Sequence, residues 1–119
     1  MTYDELVRRH ATFQLTNNTL ALVRRERIAQ DAQHGAGDLP NGTGPVFWQM
    51  LVDARSNMAI AESMGVVSWR DVLLEEVAEA LTESDPERLA KELVQVAAVA
   101  VAWREHLHRR GAAPIVVAA

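Results

Sequence analysis

The sequence predicts an all-α protein. Apolar residues recur at helical spacing, as at Leu6, Phe13 and Leu20. Start and stop signals punctuate these stretches: Ser68 and Asp85-Pro86 as starts, Gly65 and Gly111 as stops. Ahead of the C-terminal tail, no segment alternates apolar and polar residues between turn signals as a half-buried strand would. The expected architecture is a bundle of four to five helices whose core is completed by oligomerisation.

The first helical region runs from Tyr3 to about Gln33, with Leu15 and Leu22 beside the heptad-spaced residues. Thr16-Asn17-Asn18-Thr19 lies in its middle. These residue types bond readily to nearby backbone and favour caps and turns, so a break is expected there. Residues 34–45 are rich in Gly, Pro and Asn and form a loop. A second helix covers Val46 to about Met64, with Leu51, Met58 and Ile60 among its apolar positions and Gly65 placed to end it. Ser68 caps a third helix reaching about Glu83. Ser84-Asp85-Pro86-Glu87 then supplies a turn, a cap residue, a first-turn proline and a Glu in the capping-box position. The fourth helix extends to Arg109, and Gly111 and Pro114 stop it. The apolar tail, residues 111–119 with Ile115-Val116-Val117, docks on a partner subunit or frays.

Composition narrows the class. At 119 residues the chain is expected to be one domain, 1–119, with a modest core. A net charge of −4 with no basic face argues against nucleic-acid polymers as partners. The absence of cysteine rules out disulfides and thiolate metal sites and fits a reducing compartment. The N-terminus has no signal-peptide core, and the longest apolar run, Val96 to Trp103, is too short to span a bilayer. A soluble, cytoplasmic protein with no membrane partner is expected.

The third and fourth helices carry the chemistry. Glu76 and Glu79 stand at i, i+3 on one; Glu92 and Gln95 stand at i, i+3 on the other. Glu79 and Glu92 lie at nearly equal distances from Asp85, roughly 10 Å from the turn at 1.5 Å rise per residue. An antiparallel hairpin therefore brings carboxylates and one amide level with each other. The acidic stripe Glu76, Glu79, Glu83 borders the apolar stripe Leu73, Val77, Ala80, Leu81. Most Glu-rich helix faces are merely solvated, and Glu75, Glu83 and Glu87 are read that way. Level carboxylates against a core repel each other and lose hydration, a cost that a divalent cation offsets. Past Gln95 the fourth helix is apolar nearly all round, which predicts burial between subunits, most simply in a symmetric dimer.

The pattern Glu76-x-x-Glu79, then Glu92-x-x-Gln95, resembles the signature of the MazG-like all-α nucleotide pyrophosphohydrolases, Glu-x-x-Glu followed by Glu-x-x-Asp. The stretch from Trp69 to Trp103 and the loop Gln30-Asp31-Ala32-Gln33-His34-Gly35 through Asn41-Gly42-Thr43-Gly44 are similar to small actinobacterial and phage members, over roughly residues 24–110. The resemblance implies magnesium-dependent hydrolysis of a nucleoside triphosphate to monophosphate and pyrophosphate, with manganese as a substitute metal. It implies Glu76, Glu79, Glu92 and Gln95 as metal ligands, with Glu76 and Glu79 catalytic. Gln95 departs from the family's Asp: its neutral oxygen coordinates more weakly. That departure leaves a second expectation, a non-catalytic nucleotide-binding or regulatory helical dimer.

Arg27, Asp31, Trp69 and Lys91 are the candidates for holding substrate. Arg reads phosphate through its two-pronged donors, although Arg27 and Asp31 at i, i+4 also suit a helix salt pair. Trp69 opens the acidic helix beside a loop and could stack a base; Trp48 and Trp103 are read as core. Asn41-Gly42-Thr43-Gly44 lacks the pattern of a P-loop and reads as a flexible connection. His106 and His108, spaced by two on a helix, point to different sides and make a poor metal pair.

Overall fold

The computed structural model describes residues 1–35 and 37–111. Its element order is α1 (Tyr3–His34), a 3-10 turn (Pro45–Phe47), α2 (Trp48–Met64), α3 (Trp69–Thr82) and α4 (Pro86–Arg109), and no strand occurs among the described residues. The fold is all-α, and no described helix is long and apolar enough to cross a membrane. The tail assigned to residues 111–119 lies, beyond Gly111, outside the described residues.

Helix ends follow local chemistry. Thr2 and Glu5 form a capping box at the start of α1. Ser68 and Asp71 form another at the start of α3: Ser68 Oγ accepts from Asp71 N at 3.2 Å, and Asp71 Oδ2 accepts from Ser68 N at 2.9 Å. Gly65 ends α2 in the left-handed region at φ 68°, where a Cβ would be strained. The start of α4 differs by one residue from the sequence reading. Asp85 Oδ2 accepts from Arg88 N at 2.9 Å, so Asp85 is the cap, and the box position falls on Arg88 rather than Glu87.

The expected break in α1 is absent, and the helix is continuous from Tyr3 to His34. Thr19 Oγ1 donates to its own helix at the Leu15 carbonyl, 2.9 Å away. Thr16 Oγ1 donates to Glu105 Oε1 on α4 at 2.5 Å. Both hydroxyls are thereby engaged without opening a turn, one of them by a partner remote in sequence.

The chain groups into two compact units: Met1–Leu39 with the described residues from Val101 on, and Pro40–Ala100. In the first, α1 lies beside the end of α4, and Thr19 and Glu105 are buried. In the second, α2 packs on α3. Leu51, Ala54 and the fully buried Ala78 form the centre of that contact, where small side chains let the backbones approach. Thr43 and Gly44 fasten to the end of α3: Gly44 N donates to Leu81 O at 2.9 Å and Thr43 Oγ1 to Glu83 O at 2.6 Å. These bonds satisfy carbonyls that a helix terminus leaves open. This end of the Gly-rich loop is thus tied down rather than a free connection.

Candidate metal centre

α3 presents Glu76 and Glu79 one turn apart, and α4 presents Glu92 from its second turn. One carboxylate oxygen from each lies within 4.8 Å of the others. All three residues are half-buried. Glu76 Oε2 and Glu92 Oε2 are shielded from solvent and have no hydrogen-bond partner. Arg55 on α2 reaches the edge of the group, with Nη2 3.6 Å from Glu79 Oε1.

The electrostatics follow from that geometry. The Glu76 carboxyl is pushed above its ordinary range, first by burial and then by the charges of Glu79, Glu92 and Glu75. Glu92 is pushed the same way, first by burial, then by the charge of Glu79, a hydrogen bond to Glu79 and the charge of Glu83, with Arg55 opposing. Acidic oxygens gathered at this separation and partly stripped of water form a hard donor set suited to a divalent cation. The two oxygens without partners are the atoms such an ion would satisfy.

The other sequence candidates are placed less centrally. Gln95 is exposed, and the three-carboxylate group closes without it. Trp69 is the half-buried first residue of α3, and Lys91 is exposed on α4. Arg27 is held by its own helix, with Nη2 2.7 Å from Asp31 Oδ1 and Nη1 3.0 Å from Gln30 Oε1. Both members of that pair are exposed, at 58% and 47%. They line a shallow surface groove with His34, Gly35, Gly37 and Leu39. Arg55 was not singled out from the sequence. Its signal is weak, a single cation on an otherwise mixed helix, and only the packing of α2 on α3 brings it to the carboxylates.

No family model, curated protein or solved structure matches this chain. The resemblance to MazG-like proteins therefore stands on the residues themselves.

Proposed function

We propose that this chain is a MazG-like nucleotide pyrophosphohydrolase that binds magnesium, or manganese in its place, through Glu76, Glu79 and Glu92. It hydrolyses a nucleoside triphosphate to a monophosphate and pyrophosphate as a homo-oligomer, a dimer or a tetramer. The observation that carries this reading is the meeting of three half-buried carboxylates within 4.8 Å, two of whose oxygens are buried without a partner.

When bound, the cation supplies charge neutralisation on the phosphate oxygens, where charge grows in the transition state. The chain's residues do the rest. Glu76 and Glu79 from α3 and Glu92 from α4 would hold the cation. Glu76 is the carboxylate we assign to accept a proton from the attacking water, directly or through a second water. Arg55 is the cation nearest the group and would meet a phosphate. Magnesium keeps several waters and uses few protein carboxylates beside substrate phosphates, so the ligand set does not require Gln95.

The second reading is a nucleotide-binding or regulatory protein without turnover, favoured by the neutral, exposed Gln95 in place of an acid. One experiment separates them: pyrophosphate release from a panel of nucleoside triphosphates with magnesium, alongside thermal shift. Release supports the enzyme. A nucleotide-induced shift without release supports the binder. No response to metal or nucleotide overturns both.

A further inference from the structure

Arg55 reaches the carboxylates by its place on α2. Leu51 and Ala54 face α3, and Arg55, four residues after Leu51, stands at the edge of the same side. Its stem can follow that edge while its charged head stays in water: the side chain is 53% exposed, against 23% for Glu79. The two meet at 3.6 Å, which is longer than a hydrogen bond. The contact is one of charge and does not fix how the guanidinium is turned. Arg27, by contrast, is fixed by hydrogen bonds to Gln30 and Asp31 of its own helix.

We propose that Arg55 couples the binding of cation and polyphosphate at this centre. Without a cation, its guanidinium is the counter-charge of Glu79. A divalent cation held by Glu76, Glu79 and Glu92 draws on the same carboxylate and repels the guanidinium, so Arg55 opposes the binding of metal alone. A polyphosphate reverses the balance. Its oxygens carry negative charge to the cation and give the guanidinium a two-pronged partner, stronger than the single contact it leaves. Arg55 then yields Glu79 wholly to the cation. Metal and polyphosphate each favour the other through this one side chain, and the coupling is reciprocal. The inference rests on the proposed metal centre and adds an order to it: the cation arrives with its polyphosphate more readily than ahead of it.

Two features of the group suit that exchange. The charge of Arg55 reaches Glu92 as well as Glu79, and there it opposes the neighbouring carboxylates. It therefore bears on both helices that supply the ligands. The guanidinium is also an incomplete counter-ion, since Glu76 Oε2 and Glu92 Oε2 remain buried without a hydrogen-bond partner. A single charge at the edge of three carboxylates is one that a divalent ion displaces.

The test uses the full chain and reads binding rather than turnover. Free manganese is followed by electron spin resonance in a titration without nucleotide. Affinity is then measured, at saturating manganese, for a panel of nucleoside triphosphates with a methylene bridge between the α and β phosphates. Arg55→Gln is expected to bind manganese about two- to five-fold more tightly and the triphosphate at least about tenfold more weakly. A merely structural residue would not give opposite signs, because a loosened site weakens both. Arg55→Lys keeps the charge and loses the fork; it should match the parent for manganese and fall below it for the triphosphate. Manganese affinity that is unchanged or lowered in Arg55→Gln, or raised equally in Arg55→Lys, overturns the competition. Unchanged triphosphate affinity in Arg55→Gln overturns the transfer to phosphate. Arg55→Ala, a stronger helix former, carries the same comparison if Arg55→Gln misfolds. A parent that binds no manganese overturns the metal centre itself, and one that binds manganese but no triphosphate overturns the nucleotide reading and the coupling together. A parent that binds both, each with the affinity of Arg55→Gln, overturns this inference alone.

Discussion

Glu79 sits between Glu92 and Arg55, so its charge serves both the proposed ion site and the pair with α2. Replacing it with Gln keeps the shape and removes that charge. Glu79→Gln is expected to lower any magnesium-dependent pyrophosphate release by at least about 100-fold, with the fold intact in metal-free buffer. Unchanged release in that variant would rule out the proposed centre. Glu76 carries a different prediction. Its folded pKa is raised above the ordinary 4.5, so the fold favours the neutral form. That contribution to stability is full below the unfolded value and is lost as pH rises through the raised folded value. In metal-free buffer Glu76→Gln should therefore melt above the parent at neutral pH. The gap should close as pH falls below 4.5. A gap that is constant with pH, or of opposite sign, would show that Glu76 pays no burial cost as a carboxylate.

Among the elements, α3 depends most visibly on a local device. Ser68 and Asp71 satisfy each other's backbone N–H at its start, and the Asp71 carboxyl is held below its usual range by the Ser68 backbone N–H and hydroxyl. Ser68→Ala is expected to cost about 1 kcal/mol of stability in denaturant titration. Because α3 supplies two of the three carboxylates, the same variant should weaken any magnesium-induced thermal stabilisation. The start of α3 was legible from Ser68 alone, since a cap is a short-range bond. The continuity of α1 was not. Thr16-Asn17-Asn18-Thr19 reads as a break because each residue type competes with helix locally, and the hydroxyl of Thr16 is taken up by Glu105, 89 residues away in sequence.

At the scale of the molecule, the described residues leave apolar surface uncovered. Among the described residues the all-round apolar segment of α4 is only partly covered: Val96 and Val99 are half-buried, and Ala97, Ala98 and Ala100 are exposed beside Leu93 and Val94. Val99 shares the side of Glu92 on the helix, so the outward face is the one carrying Ala97. If the assembly covers this face, Ala97→Glu should lower the mass seen by light scattering without loss of helix; an unchanged mass would leave the α4 face outside the interface.

The sequence by itself determined the all-α class, the helix order, most helix ends and the acidic residues that could gather near the α3–α4 turn. These rest on periodicity, capping and turn chemistry, which act over a few residues. Tertiary structure alone decided that Glu76, Glu79 and Glu92 converge while Gln95 remains exposed. It also decided that Ala78 is the most deeply buried residue of the core, that Arg55 joins the carboxylates, and that α1 runs unbroken. Each of these depends on how one helix is rotated against another, and that rotation is fixed by packing between segments distant in the chain.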